Sequence, residues 1–324
     1  MAGNWLFWVL FNAFVLAMLV LDLGVFHRKA HAVRYREALA WTVVWVGLAA
    51  TFAVLIYHFG HLMTGSWAKP NRQLALEFVT GYLIEESLSV DNLFVFLLIF
   101  RHFAVPRQIQ HKVLFWGILG ALIMRAIFIA TGVTLIRRVQ WIIYVFGAFL
   151  VYTGVKLAVH RGVAISPKDS WVLKLFRKHV RVTHDYKDDR FFEHTPQGWF
   201  ATPLALVLVL VETTDVLFAT DSIPAVLAVT QDPFIVYTSN VFAVLGLRSL
   251  YFALSGMMEL FHYLHYGLAV ILMFIGAKML LSHYYDMPIH LALGVVAVVL
   301  AVSIGASIAL PKKHEPEAGG PSSP

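Results

Sequence analysis

Nine mostly apolar stretches follow one another along this chain: residues 5–26, 38–60, 74–100, 113–135, 140–159, 201–230, 237–257, 266–283 and 289–310. Each reaches the roughly 18 residues that cross a hydrocarbon core of about 30 Å as a helix. Their apolar residues cover all sides instead of alternating at period two, so the pattern predicts spanning helices and not the strands of a barrel. The expected fold class is therefore an all-α polytopic membrane protein with about nine transmembrane helices. Polar positions concentrate between the runs, in the segment 160–200 and in the tail, with a small and conspicuous set of charges left inside.

Composition agrees: 59% of the 324 residues are hydrophobic and 14% charged, with a mean hydropathy of +0.73. Soluble domains are nearer 45–50% apolar and about 25% charged. The first run has no Lys or Arg ahead of it and is longer than the apolar part of a secretory leader, so it reads as a span. There is no cysteine, which excludes disulfides, thiolate metal sites and dithiol redox chemistry.

The charge of +6 and the pI near 9.4 report topology and not nucleic-acid binding. If the N-terminus faces outward, the inner segments 27–37, 101–112, 160–200, 258–265 and the C-terminal tail hold 17 Lys and Arg, the outer loops 4. Cytoplasmic loops carry such an excess, so the expected orientation is N-outside and C-inside. The remaining four bases, Arg125, Lys156, Arg248 and Lys278, lie within runs.

Two passages resemble each other. Residues 85–97, EESLSVDNLFVFL, lie over residues 215–227, DVLFATDSIPAVL, so that Glu85 meets Asp215, Asp91 meets Asp221 and Asn92 meets Ser222. LGALIMR (119–125) matches LGLR (245–248), and YTGVKL (152–157) matches FIGAKM (274–279), pairing Arg125 with Arg248 and Lys156 with Lys278. Two three-helix units of opposite orientation follow, a plan recurrent in secondary transporters with the site between the halves. The expected division is two N-terminal spans (1–73), a first unit (74–159), a cytoplasmic loop (160–200), a second unit (201–283), a last span (284–310) and a disordered tail (311–324).

Each carboxylate at the centre of a span costs roughly 2.5–3.5 kcal/mol to insert, so Glu85, Glu86, Asp91, Glu212, Asp215 and Asp221 must be paired, protonated or bound to a cation. With Asp22 there are seven acids against four intramembrane bases. Glu85 and Asn92 share a helix face, as do Asp215 and Ser222, and Glu212 neighbours Asp215. Pro224 is expected to break its helix around 221–224 and free carbonyls beside Asp221. The nearby ligands are all oxygen, from carboxylates, Asn92, Ser87, Ser89, Thr213, Thr214, Thr220 and Ser222, a set that suits a hard divalent ion. Purely structural pairing of these acids with Arg125, Lys156, Arg248 and Lys278 is the competing reading. Asp22 is either a ligand or an interface residue six positions before Arg28, and Glu77 reads as an edge residue. The run 184–194, HDYKDDRFFEH, reads as a solvated loop in preference to a metal sensor.

EESLSVDNLFVF and VETTDVLFATDSIPAVLAVT, with LDLGVF (21–26) and FATPL (200–204), closely resemble the signatures of the TerC family of integral membrane proteins, its Alx-type members included. The resemblance implies manganese(II) export across the bacterial inner membrane, with Glu86, Asp91, Asn92, Glu212, Asp215 and Asp221 handling the ion. Asp22, Glu85, Thr213 and Ser222 are further candidates for the metal or a proton route. No phosphate loop is present, so movement would draw on an ion gradient, and desolvated carboxylates make proton antiport the natural form. No enzyme activity and no cofactor beyond the transported Mn2+ is expected. The alternatives are a membrane-assembly scaffold, or a stress-response protein of tellurite resistance or redox modulation, with structural ion pairs.

Overall fold

In lipid, a backbone must satisfy its own N–H and C=O groups, and the apolar runs do so as helices. The structure, a computed structural model, describes residues 5–26, 35–65, 67–139, 141–159, 171–183, 186, 189–195, 198–255, 263–285 and 287–309. In chain order these form α1 (Trp5–Phe26), α2 (Tyr35–Thr64), α3 (Asn71–His102), α4 (Arg107–Arg138), α5 (Ile142–Val159), α6 (Trp171–His179), β1 (Phe192–Thr195), β2 (Gly198–Ala201), α7 (Pro203–Leu227), α8 (Pro233–Leu254), α9 (Leu264–Leu280) and α10 (Ile289–Ala309).

Among the described residues, α2, α4, α5, α7, α8 and α10 are long and apolar enough to cross a membrane. The apolar part of α1, Trp5–Leu21, and α9 are shorter. Helix α3 has ample length, 32 residues, but carries the acidic motif.

Prolines mark the starts. Pro203 and Pro233 open α7 and α8, where their missing N–H is not needed. The Asp232 carboxylate accepts from the N–H groups of Phe234 (3.0 Å) and Ile235 (3.2 Å), capping α8. At the end of α3, Ala104 takes a left-handed φ of 48°. The Val105 N–H reaches the Phe100 carbonyl and the Ala104 N–H that of Arg101, which satisfies carbonyls the helix would leave open.

Helix α8 is buried along nearly its whole length and packs on α2, α3 and α4. Phe52, Phe78 and Phe242 bring α2, α3 and α8 together, with ring centroids 5.0 to 5.9 Å apart. Helix α4 lies on α7 and α8, α3 on α7 and α8, and α5 along α9. The α5–α9 crossing is close because it is lined with glycine. A Cβ placed on Gly154 would lie 2.8 Å from the Ala269 carbonyl, and one on Gly276 2.6 Å from the Gly147 carbonyl. Small residues permit such approach between spanning helices. The outer faces of α1, α2, α5 and α10 expose large apolar side chains such as Val43, Tyr152 and Val298, as lipid contact requires.

One expectation is corrected here and two are refined. Pro224 does not break its helix: α7 runs unbroken to Leu227. It lies within the last turn, where losing one N–H leaves few bonds to disrupt, and its carbonyl still accepts from Ala228. The segment 160–200, expected as a cytoplasmic loop, contains α6 and an antiparallel hairpin, β1 against β2. The hairpin region is tied to the α3–α4 end: the Tyr186 hydroxyl donates to the Phe103 carbonyl at 2.7 Å and Lys112 to Asp189 at 2.8 Å, with the ammonium over the Phe191 ring. The hydrogen bond from Lys112 holds the Asp189 carboxyl below the usual carboxylate range. Glu77, finally, stands near the start of α3, as an edge residue would, but it is enclosed and not solvated. It is 1% exposed and accepts from Lys69, Gln73 and Thr230. His184, Asp185, Asp188 and the tail 311–324 lie outside the described residues.

Candidate functional site

The intramembrane acids fall into two layers. In the first, four helices each contribute one buried side chain: Glu85 from α3, Arg125 from α4, Asp215 from α7 and Asn240 from α8. The Arg125 guanidinium pairs with the Glu85 carboxylate and donates to Asp215 Oδ1 (3.2 Å) and Asn240 Oδ1 (2.8 Å). The Asn240 amide closes the ring by donating to Glu85 Oε2 at 3.0 Å. A guanidinium suits this place because its planar fork serves several acceptors at once. All four residues are 3% exposed or less. Two carboxylates face one guanidinium, and among the described residues Asp215 Oδ2 has no hydrogen-bond partner, so these three groups keep a formal negative charge unless a proton or cation joins them.

The second layer is a cavity of about 260 Å³. Asp91 and Asn92 of α3, Thr153 and Lys156 of α5 and Asp221 of α7 line its polar side. Leu88, Phe218 and Leu272 help form the apolar wall. Thr153 donates to Asp221 Oδ1 at 3.2 Å, and the Lys156 charge acts on the same carboxylate. Asp91 Oδ1 lies 3.7 Å from His265 Nδ1 of α9. Among the described residues the Asn92 amide nitrogen is buried with no hydrogen-bond partner, and so is the Ser222 hydroxyl beside Asp221. Unsatisfied polar groups at one depth are costly without a ligand to use them. Rotating the Asn92 amide would present its oxygen to a cation.

The remaining candidates lie elsewhere. Glu86 sits within hydrogen-bonding reach of the Tyr82 hydroxyl one turn earlier, away from the cavity lining, and among the described residues its Oε2 is buried without a hydrogen-bond partner. Glu212 rests against α4 at Gly120, where an added methyl would overlap its carboxylate. The Thr213 hydroxyl is bonded to the Val209 carbonyl in its own helix. Arg248 is buried on α8. Lys278 donates to the Ala228 carbonyl at 3.3 Å, beyond the end of α7. Asp22 lies near the end of α1, and its side chain is outside the described residues.

The six expected ligands are therefore not gathered around one point. The structure brings Asp91, Asn92 and Asp221 together in one cavity and leaves Glu86, Glu212 and Asp215 outside its lining. Among the described residues no three His, Asp or Glu side chains converge. Thr153, His265, Asn240 and Tyr82 are participants the sequence reading missed. The one sequence clue was that Thr153 stands three residues before Lys156, on the same face of its helix.

Residues 71–315 match the sequence pattern of the Integral membrane protein TerC family. The chain is 49% identical over 309 residues to "Uncharacterized membrane protein STKORF319" of Myxococcus xanthus, covering 95% of this chain and 93% of that protein. It is 46% identical over 319 residues to the "Putative membrane-bound redox modulator Alx" of Escherichia coli K12, covering 98% and 99%. A membrane protein of Rickettsia bellii, also uncharacterised, is 38% identical over 301 residues, covering 93% and 96%. No solved structure matches significantly.

Proposed function

The chain belongs to the TerC family of integral membrane proteins, and on that premise we propose that it is a secondary transporter that exports a hard divalent cation, Mn2+, from the bacterial cytoplasm. One observation carries the reading: Asp91 and Asp221, equivalent positions of the two acidic motifs, line one cavity with Asn92 and Thr153. Two carboxylates balance a doubly charged ion, and the neutral oxygens and retained waters fill out the coordination that such ions prefer. Lys156 occupies the same cavity. In this reading its ammonium partly balances the acids between cargo ions, and an arriving cation must displace it.

The proposed orientation is N-outside and C-inside, with α1 to α5 and α7 to α10 as nine spans and the site between inverted units of α3–α5 and α7–α9. The α5–α9 crossing supports the repeat. Adding 122 to Gly147, Val151 and Gly154 gives Ala269, Met273 and Gly276. Gly154 faces Ala269 and Met273, while Gly276 faces Gly147 and Val151, so the two contacts are mirror copies, as a two-fold relation requires. The pairing of α3 with α8 beside α4 with α7 obeys the same exchange. Export in this account proceeds by alternating exposure of the site and is driven by protons moving inward.

At the end where α3 begins and α7 stops, Glu77 ties together Lys69, Gln73 and Thr230, and Arg137 reaches the Gln231 carbonyl. These ties form the closed gate of the reading. The redox role in the Alx relatives' name would run through the cellular content of a redox-active metal, because this chain has no thiol. A scaffold built on structural ion pairs would account for the Arg125 cluster but gives no use to the Asp91–Asp221 cavity.

Transport by the purified chain in proteoliposomes, followed with a Mn2+-quenched dye, tests the proposal. Wild type is expected to move Mn2+, faster under an opposing pH gradient, and Asp91→Asn and Asp221→Asn to lose at least about tenfold in rate with unchanged folding. Equal flux in both variants would overturn the assignment, and equal flux with and without a pH gradient would remove the proton coupling.

A further inference from the structure

A second cavity, of about 930 Å³, opens at the end of the molecule where α3 and α10 begin and α9 ends. Among the described residues its lining carries Lys69, Arg72, Lys278 and His290 against one carboxylate, Glu77, and Lys69 already bonds that carboxylate at 2.7 Å. Arg72 is exposed and makes no hydrogen bond or ion pair among the described residues. A guanidinium and an ammonium converging on an open concavity with one neutralised acid make an anion-selective surface. Such a place repels the divalent cation and attracts phosphate oxygens, which Arg meets in bidentate fashion.

The surroundings fix which anion reaches it. Trp67 in the α2–α3 link, Trp141 in the α4–α5 link, and Tyr284 and Tyr285 in the α9–α10 link are all more than half exposed. The first and third links contribute to the cavity lining, and Ile143 of that lining stands two residues after Trp141. Exposed Trp and Tyr around one end of a helical bundle mark the headgroup level of the bilayer. The cavity therefore opens among lipid headgroups, beside the first turn of α10, whose outer face is apolar.

We propose that this vestibule binds the phosphate of an anionic glycerophospholipid, with Arg72, Lys278 and His290 as the contacts. The site is distinct from the Asp91–Asp221 cavity and does not depend on the transport reading. Basic groups next to an anionic lipid surface contribute about 1 kcal/mol each, which is about fivefold in affinity.

The test uses the full chain in neutral detergent, with lipid binding read by native mass spectrometry and by melting temperature. Wild type is expected to retain phosphatidylglycerol at least about fivefold better than phosphatidylcholine. Arg72→Gln is expected to lose part of that preference, and Arg72→Gln with His290→Gln to lose most of it. Both positions are exposed, so folding should survive; melting without lipid checks this. An equal preference in wild type and double variant, or none in wild type, would overturn the proposal. A stabilisation reproduced by inorganic phosphate alone would also overturn it, by identifying a free-phosphate site.

Discussion

Arg125 is the residue on which the buried polar layer turns. It contacts three side chains from three other helices, all of them inaccessible to water. Removing one partner of a buried pair leaves an uncompensated charge and costs about 3–5 kcal/mol, far more than the net stabilisation of the pair itself. Arg125→Ala should therefore lower the melting temperature sharply or abolish the folded yield, and Arg125→Lys should recover only part, since a single ammonium cannot span Glu85, Asp215 and Asn240. Asp91→Asn should change stability by less than about 1 kcal/mol, because the Asp91 side chain is 23% exposed and its contact with His265 is long, at 3.7 Å. Thermal unfolding of the detergent-solubilised variants separates the structural residue from the site residue. The same contrast explains how far the acids could be read from the chain. Glu85 and Asn92 do share a face, as their seven-residue spacing requires, yet they lie about 10 Å apart along the axis. Helical spacing gives direction around a helix but not which neighbour meets it at each level, so one motif was read as one site where it serves two.

Among the elements, the spanning helices were legible because apolar length is what a bilayer selects. The hairpin of Phe192–Thr195 and Gly198–Ala201 was not, since its few residues alternate weakly and it is held by contacts distant in sequence, such as Lys112 to Asp189. Nor was the unbroken course of α7 legible, because the effect of Pro224 depends on how many helical bonds lie beyond it. The α5–α9 crossing offers a direct check on the repeat. Gly154→Val and Gly276→Val would each drive a side chain into backbone atoms 2.6 to 2.8 Å away, and overpacking of this kind costs about 1–3 kcal/mol. The two variants should destabilise to a similar degree, while Gly305→Val on α10, with nothing within 4 Å, should leave melting unchanged. A large inequality between the first two would argue against equivalent halves.

At the scale of the whole molecule, burial is graded from the enclosed α8 to the lipid-facing α1, α2, α5 and α10, and polarity is concentrated in three places along the bundle. A buried hydrogen-bonded cluster around Arg125 holds four helices, an acidic cavity lies at another level, and a basic vestibule closes the end where Glu77 is tied. Such an arrangement lets a cation be attracted at one depth and repelled at another, which is the electrostatic profile a directional carrier needs. The claim beneath it is that Asp91 and Asp221 hold one divalent ion between them. Electron paramagnetic resonance of Mn2+ titrated into the purified chain measures this, since the six-line spectrum of the free ion fades on binding. The expected result is saturable loss of the free signal with wild type and none with the Asp91→Asn, Asp221→Asn double variant; equal binding by both proteins would contradict the account.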